Sequence, residues 1–167
     1  MIFASVGSML PFDRLVAAVD DWAAANPTQD VFIQIGDGAY QPRHAPWVRM
    51  MPHGEYAERL RNSDLFVAHV GMGSILQALE ARKQMLLMPR LASQKEHTTD
   101  HQLHTADRFR QTPGLMVVDD VPALQRAMTR LLLEPLQASA GIPRFAQPLL
   151  IEKVAEFLHV RPTATHG

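Results

Sequence analysis

Hydrophobic residues in this chain come in short runs separated by stretches with a helical period, and that alternation predicts its elements. Ile2 to Ser5 and Val31 to Ile35 are apolar runs followed by the turns Val6-Gly7-Ser8 and Gly36-Asp37-Gly38, as expected of buried strands. Between them Phe12, Leu15, Val16, Val19, Trp22 and Ala23 recur at the spacing of one helix face, with Pro11 placed for the first helical position and Asn26-Pro27 as the stop. Trp47 to Met51 predicts a third strand, and Glu55 to Arg61 a short helix. A fourth run, Leu65 to Ala68, leads into His69-Val70-Gly71-Met72-Gly73-Ser74 and a helix with Ile75, Leu76 and Leu79 to pack. Met85 to Met88 is a fifth strand stopped by Pro89; His101 to Phe109 reads as a helix and Leu115 to Val118 as a strand. Asp119-Asp120 offers an N-cap to a helix with Leu124, Ala127, Met128, Leu131 and Leu132 on one side. Pro135 to Pro148 reads as a linker, and Leu149 to Leu158 as a last amphipathic helix. The expected fold is α/β, a Rossmann-like parallel sheet flanked by helices, in a single domain over 1–160 with a flexible tail over 161–167.

Composition narrows the classes of function. The 167 residues carry a net charge of −1, which gives no basic footprint for nucleic acid, and nucleic-acid binding is not expected. The absence of cysteine excludes disulfides, thiolate metal sites and a cysteine nucleophile. The first residues lack a signal peptide's basic flank, and no apolar run approaches the roughly 18 residues that cross a bilayer. These features predict a cytoplasmic protein that reaches a membrane only through a partner.

Candidate chemistry concentrates after the fourth and fifth strands. A diphosphate needs backbone N–H groups and no side chain in the way, which Gly71 and Gly73 supply at a helix start, with Ser74 adding a hydroxyl. The third glycine of a dinucleotide fingerprint and the lysine of a P-loop are both missing, so a tight turn without a ligand would use the same glycines. Gln77 lies one turn in, where its amide can meet a ribose diol or only solvent. The loop after the fifth strand gathers Glu96, His97, Asp100, His101 and Gln102, a set able to bond a polyhydroxylated ligand. His97, His101 and His104 share a helical spacing that a metal-dependent hydrolase could use, although the H-E-x-x-H order is absent. His69, at the strand end, reads as a core or rim residue.

Taken together, His69-Val70-Gly71-Met72-Gly73-Ser74-Ile75, Pro89-Arg90, Glu96-His97 and Asp100-His101-Gln102 resemble the donor-binding half of family-28 glycosyltransferases. Val6-Gly7-Ser8, Pro11 to Leu15 and Gln34-Ile35-Gly36 extend the resemblance over residues 1 to about 133. Within that family it is similar to small bacterial exopolysaccharide subunits akin to the catalytic subunit of the dolichol-linked N-acetylglucosaminyltransferase. The resemblance implies the C-terminal half of a GT-B architecture, with UDP-sugar as a substrate and no cofactor or metal. It also implies a membrane-anchored partner subunit that binds a lipid-linked saccharide acceptor and carries the general base, so that the chain is active only with that partner. By resemblance Gly7, Gly71, Gly73 and Ser74 hold the diphosphate and Gln77 faces the ribose. Glu96, His97, Asp100, His101 and Gln102 then address the sugar, with His69 at the rim. More distant relatives carry Glu where Gln77 stands, and an amide is a weaker acceptor than a carboxylate. A nucleotide-binding regulatory or scaffold protein without transferase activity is the alternative expectation.

Overall fold

The computed structural model describes residues 1–137, which fold into a sheet of six strands with helices on both faces. In chain order the elements are β1 (Ile2–Ser5), α1 (Asp13–Ala25), β2 (Val31–Gln34), β3 (Trp47–Val48), α2 (His53–Asn62) and β4 (Leu65–His69). They continue with α3 (Met72–Glu80), β5 (Met85–Met88), α4 (His101–Phe109), β6 (Leu115–Val117) and α5 (Val121–Leu133). Every strand pair is parallel and the order is β3-β2-β1-β4-β5-β6, the doubly wound order in which ligands bind where the winding reverses. Here that point lies between β1 and β4, whose Ser5 and Ala68 stand side by side at the carboxyl edge.

Residues of the central strands β1, β4 and β5 are buried almost throughout, whichever way they point, which is why these strands read as continuous apolar runs, while the edge strands β3 and β6 are partly exposed. On one face Ile2, Ala4, Val67, Leu86 and Met88 pack against Leu15, Val19 and Trp22 of α1 and Leu124, Met128 and Leu131 of α5. The two helices are also joined by hydrogen bonds from Trp22 Nε1 to Thr129 Oγ1 (3.0 Å) and from Gln125 Nε2 to the Ala18 carbonyl (3.0 Å). On the other face Phe3, Phe66, Ala68 and Leu87 pack against Leu60, Ile75, Leu79 and Ala106, from α2, α3 and α4.

The structure departs from the expected boundaries in a few places. Gly36 takes a positive φ of 58° and turns the chain out of β2, so β3 ends at Val48 rather than reaching Met51. Pro11 precedes the N-cap Phe12 instead of opening α1, because Phe12 is fully buried beneath the helix start. Leu76, expected to pack, is 42% exposed: the buried stripe of α3 runs through Ser74, Ile75, Ala78 and Leu79, and Leu76 falls outside it. Asp120 caps α5 as its position suggests, accepting from Ala123 N at 2.7 Å. The last amphipathic helix over 149–158, most of the linker and the tail lie outside the described residues.

Candidate functional site

A cavity of about 500 Å³ opens at the carboxyl edge of the sheet, across the β1–β4 junction, a size that suits a nucleotide-sized ligand. Its floor is built by the turn after β1 (Val6 to Leu10) and by Gly71, Met72, Gly73, Ser74 and Gln77 at the start of α3. Gly71 is the N-cap of α3 and brings no side chain to the orphan donors, so the N–H groups of Met72, Gly73 and Ser74 have no acceptor among the described residues. The helix dipole adds roughly half a positive charge at that end. No Asp or Glu is among the residues that line the cavity, so nothing there opposes an anion.

His69 explains why two glycines face each other across this floor. Its ring fills the space between the turns: a methyl on Gly7 would stand 2.7 Å from His69 Cε1, and one on Gly71 would collide with Nε2. Gly7 also has a φ of 77°, which a larger residue rarely adopts. The Nδ1 of His69 is buried without a hydrogen-bond partner. Burial first, then the charges of Arg90 and His97, push its pKa down to about 3, so the ring is neutral at pH 7. In the unfolded chain it protonates near 6.5, so the unfolded state binds the extra proton. Stability is therefore full above about pH 6.5 and declines as pH falls toward 3. Denaturant unfolding at pH 4.5 should show a loss on the order of 2 kcal/mol relative to pH 7, and His69→Asn should flatten that slope.

The remaining wall brings together residues that the sequence pattern separates. His97 and Gln102 of the β5–α4 segment line the cavity; Glu96, Asp100 and His101 do not. Gln102 Oε1 accepts from Arg90 N (3.0 Å), Glu96 Oε2 from Leu91 N (2.9 Å) and Asp100 Oδ1 from Ala92 N (2.9 Å). Three consecutive backbone donors are thus held by three side chains expected to address a sugar. For Glu96 and Asp100 one carboxylate oxygen is thereby engaged in folding the loop. The exposed His101 ring lies edge-on to His97, 4.3 Å between centroids, and its Nδ1 is 2.8 Å from Thr99 Oγ1. Among the described residues no group of three or more His, Cys, Asp or Glu is placed to hold a metal ion, so the spacing of His97, His101 and His104 does not become a metal centre.

Several further residues line the cavity that the sequence pattern does not assign to a ligand. Tyr56 stands on Phe3 and Phe66, with ring centroids 5.1 and 6.3 Å away, and burial pushes its pKa up. Gln34, Met50, Met51 and His53 reach the cavity from the other side of β1. Arg90, nearly buried, donates to the Val6 carbonyl at 2.8 Å and to that of Leu10, and so holds the turn after β1. Its pKa is lowered by burial to about 10, which leaves it charged at pH 7.

A model of the glycosyltransferase family 28 C-terminal domain matches residues 1–147. The chain belongs to that family. Among solved structures it is similar to the glycotransferase of kitacinnamycin, at 21% identity and a TM-score of 0.62, over 80% of this chain and 35% of that one. ALG13 aligns at 16% identity and a TM-score of 0.58, over 92% of this chain and 93% of ALG13. The glycosyltransferase SnogD from Streptomyces nogalater aligns at 18% identity and a TM-score of 0.52, over 80% and 34%. At these identities the likeness is one of fold, that of the GT-B C-terminal domain. The chain spans about a third of the length of the kitacinnamycin and SnogD enzymes and nearly all of ALG13. No curated protein matches it significantly. No helix among the described residues is long and apolar enough to cross a membrane.

Proposed function

We propose that this family-28 domain is the donor-binding component of an inverting hexosyltransferase that moves a sugar from a UDP-sugar to a lipid-linked acceptor in exopolysaccharide synthesis. The observation that carries this reading is the uncapped N-terminus of α3, which faces a cavity free of carboxylates at the point where the sheet reverses its winding. When the glycosidic bond to UDP breaks, negative charge builds on the leaving diphosphate. Fixed N–H groups at Gly73 and Ser74, and the helix dipole behind them, then stabilise the transition state more than the ground state. Gln77, further along α3, suits the ribose, and His97 and Gln102 suit the sugar.

A general base must still deprotonate the acceptor hydroxyl. By likeness to the family we assign that role to a membrane-anchored partner, which also brings the acceptor and holds this chain at the cytoplasmic face. Exposed Met9, Met50 and Met72 around the cavity mouth offer apolar surface to that side. Titration of the purified chain with UDP and with a panel of UDP-hexoses should give saturable binding with Kd below about 1 mM. Absence of binding at millimolar ligand, with and without the partner, overturns the reading. Binding of UDP without any transfer in the presence of the partner would favour a nucleotide-binding regulatory role.

A further inference from the structure

Two arginines fasten the two loops that flank the cavity, each reaching from one loop's supporting element to the other. Arg90, two residues past β5, holds the turn after β1, as described above. Arg14, in the first turn of α1, reaches back to the segment after β5. Its Nε and Nη2 form a two-pronged pair with Glu96 Oε1 and Oε2, both at 2.7 Å, and Nη2 also donates to the Pro89 carbonyl at 3.0 Å. The pair is largely shielded, with side-chain exposures of 16% and 10%. Phe12 lies between the two arginines, 5.2 Å from each guanidinium carbon to the ring centroid.

Glu96 is also the hinge of its own loop. Lys95 before it is left-handed (φ 59°), Glu96 N donates to the Leu91 carbonyl, and Glu96 Oε2 takes the Leu91 N–H. The next residue, His97, is the one that enters the cavity. We infer that Arg14 and Glu96 are a positioning pair for donor-sugar recognition, fixing the β5–α4 loop from α1 so that His97 stands against the sugar end of the donor. The inference rests on the donor-binding reading above. Because Arg90 holds the turn after β1 through its own bonds to the Val6 and Leu10 carbonyls, the pair acts chiefly at the sugar end and leaves the UDP end to the glycine turns.

The test compares wild type with Arg14→Lys, Glu96→Gln and the double variant. Each is titrated with UDP and with whichever UDP-hexose the wild type binds most tightly. Lysine keeps the charge but cannot form the fork, and glutamine keeps an acceptor for Leu91 N but not the charge. Affinity for the UDP-hexose should fall about tenfold while that for UDP stays within about twofold, and the double variant should lose no more than the larger single one. Equal effects on both ligands, or none on either, overturn the inference. Backbone amide exchange at Leu91 and Glu96, the two bonded N–H groups of the hinge, supplies an arm that needs no ligand: it should quicken in Arg14→Lys and Glu96→Gln, and unchanged protection overturns the positioning role. Failure of the wild type to bind either ligand would instead strike the donor-binding reading, so the two failures are distinguishable.

Discussion

Gly73→Asp should abolish most UDP binding while leaving the melting temperature equal to that of the wild type or above it. Gly73 is the second residue of α3, and a methyl added there meets nothing within 4 Å. Replacing a helical glycine by alanine gains about 0.5–1 kcal/mol; aspartate recovers only a few tenths of that, and an acidic group in the first turn gains a few tenths more from the helix dipole. The same carboxylate would sit where the diphosphate approaches the orphan N–H groups. Two like charges about 4–5 Å apart at an effective dielectric of 20 cost roughly 3–4 kcal/mol, or two to three decades in Kd. Gly73→Ala is the control that takes the stability gain without the charge. Calorimetric titration with UDP beside a thermal melt reads both quantities. A Gly73→Asp chain that binds UDP like wild type would place the diphosphate elsewhere. Gly7 and Gly71 cannot separate these effects, since His69 packs against both and substitution there disturbs fold and site together.

That contrast shows what the sequence could reveal about the site. The glycine turn announced a close approach, but not what approaches: at Gly7 and Gly71 it is the imidazole of His69, and only at Gly73 does the space stay open. The parallel sheet was legible because strands buried on both faces must be continuously apolar, and those runs are short enough to exclude helices. In the loop motif the residue types leave two roles open. Glu96 and Asp100 are polar and near the site, which suits a ligand as well as it suits three backbone donors needing partners. Proximity along the chain does not say which way a carboxylate turns. Arg14 stayed silent for the same reason, since its partner lies 82 residues away. Tyr56 and Met50 reach the cavity only because β2 and β3 extend the sheet beyond β1, a placement that no local period encodes.

The largest stability effect is expected at Asp20, a residue whose position looks apolar. It lies on the buried stripe of α1 with Val16, Val19 and Ala23, and it is fully inaccessible. Its carboxylate accepts from the backbone N–H groups of Arg43 (2.8 Å), His44 (2.9 Å) and Ala45 (3.0 Å) and from the Tyr40 hydroxyl (2.9 Å). The segment from Tyr40 to Ala45 has no strand or helix to satisfy its donors, so one side chain does so and sets the path into β3. Burial alone would raise the Asp20 pKa, but the four donors outweigh it and hold the carboxyl below its ordinary 3.8. Asp20→Asn leaves one acceptor oxygen for four donors and turns an N–H group toward others. A loss on the order of 3 kcal/mol follows, seen as a drop of about 10 °C in melting temperature. The sign of the pH dependence gives a second check. A depressed carboxyl pKa contributes stability that is present above about pH 4 and lost below it, so Asp20→Asn should remove the steep acid limb under pH 4. The decline from 6.5 toward 3 that belongs to His69 should persist in that variant. A melting temperature within 2–3 °C of wild type, or an unchanged limb below pH 4, would mean that the Tyr40–Ala45 segment is held by something other than Asp20.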